Sequence, residues 1–96
     1  MTMNLAIKQS VSFKKTVKKL SKQQKEMLDD ELKKLMKKPT MGELKKGDLD
    51  FLRVHKFKFS NQEVLLGYMY EDDKLILTLL KLGSHENFYR DIKNEI

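Results

Sequence analysis

The sequence predicts an α+β fold: an N-terminal strand, a two-helix hairpin, then a three-strand antiparallel meander, all in one small sheet, with a candidate short C-terminal helix. Three observations carry this prediction. From Val64 to Leu82, two strand-length runs rich in Leu, Ile, Val and Tyr flank Glu71-Asp72-Asp73, the pattern of a hairpin with an acidic turn. From Phe13 to Pro39, apolar residues recur at helical spacing with lysines between them. After Gly83-Ser84, Phe88, Ile92 and Ile96 fall four residues apart.

In chain order, residues 3–9 put Leu5 and Ile7 on one side of a short strand that needs the hairpin as its partner. Ser10 or Ser12 is placed to cap the first helix, whose stripe is Phe13, Val17 and Leu20. Ser21 with Gln24 makes a capping box for the second, whose stripe runs Met27, Leu28, Leu32, Leu35 and Met36 with Glu31 as the polar exception. Lys33, Lys34, Lys37 and Lys38 load the last turns, as the helix dipole favours, and Pro39 stops the helix. Residues 40–50 read as a connector with turn signals at Gly42 and Gly47-Asp48. Phe51–Phe59 reads as a strand whose apolar face switches near His55, which means a bulge, a strong twist, or ends that pack against different things. A turn at Ser60-Asn61-Gln62 follows. The last strand is apolar on both sides, so it belongs inside the sheet.

The chain has 96 residues, no cysteine and no apolar run approaching the length of a membrane span. Disulfide and thiolate chemistry are excluded, and a cytoplasmic location is expected. The net charge of +6 is unevenly placed. Residues 1–50 hold 13 lysines against 7 acids, whereas residues 51–96 hold 7 basic residues against 7 acids. The basic excess therefore sits in the helical half, where it either solvates that surface or draws a polyanion or acidic protein. No phosphate-binding glycine loop, nucleophile elbow or metal-ligand cluster is present, and no cofactor is expected.

One chemistry does suit the residues available. Cleavage of RNA by its own 2′-OH needs a proton acceptor, a proton donor and cations around the phosphate. Histidine serves either proton role near neutral pH, and aromatic rings hold splayed bases. Arg53, His55, Lys56 and Lys58 share one strand, and His85, Phe88, Tyr89 and Arg90 follow another. Each also has a plain structural alternative. His55 serves equally as an exposed strand residue, His85 as part of a turn, Phe88 as core, and the lysines as solubilising edge charges.

The element order, the stretch FLRVHKF and above all LILTLLKLGSHENFYRDIK resemble the RelE/ParE toxin superfamily of bacterial type II toxin–antitoxin systems. The resemblance takes in residues 1–96 as one toxin domain, and the ending GSHENFY is similar to YafQ-like ribosome-dependent mRNA interferases. It implies a toxin that cleaves mRNA in the ribosomal A site and is neutralised by a cognate, acidic antitoxin. It implies His85, His55, Arg53 and Tyr89 as catalytic residues, with the base and acid roles of the two histidines open. Phe88 or Tyr89 takes the aromatic role. Lys45, Lys46, Lys56, Lys58, Phe88 and Arg90 are implied as RNA contacts. The alternatives are a ParE-type inhibitor of DNA gyrase without nuclease activity, or a non-enzymatic module binding nucleic acid or protein. Met69 stands where many members carry arginine, and the turn around FKFSNQE looks long for the superfamily.

Overall fold

A computed structural model describes residues 5–95. Met3 and Asn4 of the expected first strand, and Ile96 of the expected last stripe, lie outside the described residues. The elements run β1 (Ala6–Gln9), α1 (Val11–Lys18), α2 (Lys22–Lys37), β2 (Glu43–Leu44), a 3-10 turn (Gly47–Leu49), β3 (Arg53–Phe59), β4 (Gln62–Glu71), β5 (Ile76–Gly83) and α3 (His85–Glu95). The strands form one sheet in the order β1-β5-β4-β3-β2. The three-strand meander is antiparallel as expected, and β1 joins its edge in parallel with β5.

Both helices of the hairpin start on the caps read from the sequence. Ser10 Oγ accepts from the Phe13 N–H at 3.0 Å. Ser21 and Gln24 close a reciprocal capping box, with bonds of 2.9 and 3.1 Å. Each such cap stabilises its helix by ~1 kcal/mol. The α2 helix ends at Lys37, before Pro39, because proline disfavours helical backbone in the residue ahead of it.

The sheet is buried on both faces, and the faces are unequal. On one, α1 and α2 lay Phe13, Leu28 and Leu35 over Val64, Leu66, Tyr68, Leu77, Leu79 and Leu82. On the other, α3 lays Phe88 and Ile92 over Leu49, Leu52, Val54 and Leu65. Each fully buried Leu or Phe contributes ~1.5–3 kcal/mol by leaving water. The α3 helix comes so close at Gly67 that a Cβ there would lie 2.6 Å from Phe88 Cζ. The apparent face switch in β3 is this two-sided burial. Leu52 and Val54 belong to the α3 side and Phe59 to the helical-hairpin side, while the β3–β4 register runs unbroken from Arg53↔Tyr68 to Phe59↔Gln62. The irregularity lies instead between Gly67 and Tyr68 on the β4–β5 ladder. Contrary to expectation, the β3–β4 turn is short, with only Ser60 and Asn61 between the strands and Ser60 at φ 56°.

The connector after α2 is held by two side chains from the sheet. Tyr68, fully buried, donates through its hydroxyl to the Pro39 carbonyl oxygen at 2.6 Å and accepts from the Gly42 N–H at 2.9 Å. Arg53 Nη1 donates to the carbonyl oxygens of Thr40 and Gly42, at 3.2 and 3.0 Å. A Cβ on Gly42 would lie 2.6 Å from the Tyr68 oxygen, so only glycine lets the connector pass this close. These bonds fix where β2 begins, and with it Lys45 and Lys46.

Candidate functional site: a cationic cleft beside the last helix

The α3 helix starts at His85, directly after β5. Phe88 and Ile92 turn inward, which sends Tyr89, one position on, to the flank of the helix. The turn after β2 comes up against that flank. Lys45 Nζ stands 5.4 Å from the centroid of the Tyr89 ring, a cation–π distance, and bonds Glu43 at 2.7 Å. Lys45, Lys46, Asp48, Leu49, Tyr89 and Lys93 line a cleft of about 250 Å³. His85 lies one turn back from Tyr89 on the same row of the helix, with ring centroids 6.0 Å apart and nearly perpendicular.

The hydrogen bond to Glu43 and the neighbouring Tyr89 phenol hold the Lys45 pKa above the ordinary lysine value. The hydrogen bond from Lys45 in turn holds the Glu43 carboxyl below the usual range. Lys45 is therefore a fixed cation near neutral pH and no proton acceptor. The cleft offers cations and an aromatic ring, which suits a phosphate-bearing or otherwise anionic target.

The other expected site residues are placed elsewhere. His55 pairs in register with Leu66, on the face covered by α1 and α2. Its Nε2–H donates to Glu31 Oε1 of α2 at 2.8 Å, and its side chain is 11% exposed. His85 leads the helix on the opposite face, so the sheet stands between the two imidazoles and they share no cleft. Arg53 is likewise on the His55 face, with its Nη1 committed to the connector carbonyls. Phe88 is 1% exposed and packs in the core, so it offers no stacking surface, whereas Tyr89 is half-buried and lines the cleft. Lys56 and Lys58 are exposed on β3, Lys58 opposite Glu63. Arg90 is exposed and stands 3.8 Å from Asp91. Met69 pairs with Thr78 on the β4–β5 ladder.

Lys93 escaped the sequence reading, although its four-residue spacing from Tyr89 puts it on the same helical row. The Glu31–His55 pair was also legible in principle. Glu31 broke the apolar stripe of α2 while His55 shared its strand parity with Phe57 and Phe59, so two polar groups at inward positions had reason to meet. Burial opposes ionisation of Glu31, but hydrogen bonds from His55 and Lys34 outweigh it, and its pKa lies below the ordinary carboxylate value.

A sheet with a helical hairpin on one face and one helix on the other is a fold shared with solved bacterial toxin structures. The fold is similar to that of Escherichia coli RelE in the intact RelBE toxin–antitoxin complex, with a TM-score of 0.70 and 19% identity over 86% of this chain and 99% of that one. It is similar too to a variant of E. coli RelE with two arginines replaced by alanine, in the free state, with a TM-score of 0.73 and 19% identity over 97% and 94% of the two chains. A Helicobacter pylori protein, HP0892, is more distant, with a TM-score of 0.55 and 22% identity over 85% and 96%. Among curated proteins, none matches the chain. Residues 7–93 match the model of the ParE-like toxins of type II bacterial toxin–antitoxin systems, and the chain belongs to that family. No helix among the described residues is long and apolar enough to cross a membrane.

Proposed function

We propose that this chain is the toxin of a type II toxin–antitoxin pair that acts by gripping its target, with DNA gyrase as the target and a cognate acidic antitoxin as the neutraliser. The observation that carries this reading is the separation of the two imidazoles. Acid–base cleavage of RNA by a histidine pair needs both rings at one phosphate, and here His55 is bonded to Glu31 on the face away from His85. Membership of the ParE-like family points the same way. Binding requires only what the cleft offers: Lys45, Lys46 and Lys93 around an exposed flank of Tyr89.

A second reading is a ribosome-dependent, YafQ-like mRNA endoribonuclease that needs no metal. One specific observation favours it. Lys45, Tyr89 and His85 occupy one row of contacts and combine a fixed cation, a phenol and an imidazole. In that reading Lys45 and Lys46 hold the mRNA phosphates and His85 is the one proton-transfer histidine.

Two assays on the purified chain decide between them. Gyrase supercoiling is measured with and without the protein. Translation in vitro is followed by mapping of the mRNA ends. Inhibited supercoiling with intact mRNA supports the binding toxin. Unaffected supercoiling with new mRNA ends inside codons refutes it in favour of the nuclease.

A further inference from the structure

One cation of the α3 cleft already holds an anion. Lys45 Nζ bonds Glu43 Oε1 at 2.7 Å, and the two partners are held unequally. Lys45 is fixed: its backbone N–H donates to the Leu52 carbonyl oxygen at 2.9 Å, its ammonium lies over the Tyr89 ring, and its side chain is 22% exposed. Glu43 is anchored through its backbone, by pairing with Val54, while its side chain is 70% exposed. It stands outside the cleft lining and reaches Lys45 from β2. We propose that Glu43 is a built-in competitor for the cleft: its carboxylate occupies Lys45 in the free chain, and a side-chain carboxylate of the protein target binds by taking its place. The inference rests on the binding-toxin reading above. It adds to that reading a residue that sets affinity and the chemistry of the group gripped.

The exposure of Glu43 makes the exchange easy. Water and salt screen an exposed ion pair, so releasing this carboxylate to solvent costs little. Lys56, on the neighbouring strand, also draws the Glu43 carboxylate and gives the displaced side chain a second cation. An incoming carboxylate then restores the charge-assisted hydrogen bond that Glu43 gives up, and Lys45 stays a cation throughout. The walls favour a carboxylate over a phosphodiester chain. Their cations are Lys45, Lys46 and Lys93, point charges without the guanidinium fork that grips phosphate oxygens in pairs. Asp48 is part of the same wall, so a chain of successive phosphates meets a like charge there, whereas a single carboxylate needs only Lys45 and a neighbour.

The test titrates the full chain with acetate and with dimethyl phosphate at constant ionic strength. Each probe carries one negative charge, and binding is read from the NMR shifts of the Lys45, Lys46 and Lys93 amides. Glu43→Gln removes the competing charge and keeps the side-chain shape, with thermal melting as the check on folding. Glu63→Gln makes the same charge change opposite Lys58, four residues along β3 from the partner of Glu43. Glu43→Gln is expected to tighten acetate binding about two- to fivefold, the range of an exposed ion pair, while Glu63→Gln leaves it unchanged. The gain should vanish when Lys45→Gln is combined with Glu43→Gln, and gyrase inhibition by the Glu43→Gln chain should rise by a similar factor. Unchanged or weaker acetate binding by Glu43→Gln overturns the proposal, the weaker result marking Glu43 as a group that positions Lys45. A gain that survives loss of Lys45, or that Glu63→Gln reproduces, overturns it as well, since it would reflect net charge alone. Tighter binding of dimethyl phosphate than of acetate overturns the carboxylate assignment. The expected acetate gain in a chain that leaves gyrase supercoiling untouched supports the competitor and overturns the gyrase reading alone.

Discussion

Replacing Tyr68 by Phe keeps the ring in the core and removes one oxygen. That oxygen bridges two backbone groups, donating to Pro39 O and accepting from Gly42 N–H. Both partners belong to the connector that sets the start of β2. Each lost hydrogen bond costs ~0.5–1.5 kcal/mol net, and a buried group left unsatisfied costs ~1–3 kcal/mol. The Gly42 N–H is buried beneath the ring, while Arg53 still holds the Thr40 and Gly42 carbonyls, so the connector is unable to swing freely to water. The expected loss is ~2–3 kcal/mol, a large share of the ~5–15 kcal/mol that holds a domain of this size together. A domain of this length loses ~4–8 °C in Tm for each kcal/mol. Urea unfolding should show a lower midpoint at an unchanged slope. A Tyr68→Phe midpoint equal to that of the unsubstituted chain would mean that water replaces the hydroxyl at no cost, and the clamp would be refuted. Burial holds the Tyr68 pKa above its ordinary value of 10.0. The folded form is thus favoured in full below pH 10, and this contribution fades as the pH rises through the raised value.

Further outcomes follow from other contacts. Gly67→Ala drives a methyl group into Phe88 and should cost ~1–3 kcal/mol by overpacking, with the loss read in urea unfolding. The ionised Glu31 stabilises the fold above its ordinary carboxylate value of 4.5, and this is lost as pH falls through its lowered folded value. Glu31→Gln should flatten that acid limb of the stability curve, and an unchanged limb would show that Glu31 is not its source. His85→Ala, at an exposed position, should leave the melting temperature and the gyrase inhibition intact; under the nuclease reading it abolishes mRNA cleavage and growth arrest. Lys45→Ala should weaken target binding, whereas Tyr89→Phe keeps the ring and should retain it. Loss of growth arrest in Tyr89→Phe would instead mark the phenol as chemically required.

Much of the fold was legible because its signals are local. Ser10, the Ser21–Gln24 box and Pro39 mark helix ends through neighbouring backbone groups, and they hold as read. The hairpin and the buried last strand were legible from alternation and composition. What the sequence concealed depends on partners distant in the chain. β3 puts Leu52 and Val54 under one cover and Phe59 under another, and no single-strand pattern tells two covers from a bulge. The same blindness let His55 and His85 be read as neighbours. Proximity to strand ends was visible, but not which face of the sheet each side chain takes. Once the register sets His55 opposite Leu66, its side chain is committed to the α2 side. Tyr89 and Lys45 were both visible as candidates, yet their meeting depends on the Tyr68 and Arg53 clamp, which no spacing rule reveals.

The imbalance between the two sides of the sheet has a dynamic consequence. Two helices and a broad apolar cluster lock the first side, whereas the second is closed by the 11 residues of α3 and a smaller cluster. Partial opening of this molecule should therefore begin with α3 peeling away while the strands and the helical hairpin stay assembled. Amide protons of α3 should exchange with solvent well before those of β4, which lies inside the sheet between β5 and β3. A binder that pins α3 would then slow that exchange from a distance, giving its occupancy a readout along the whole helix.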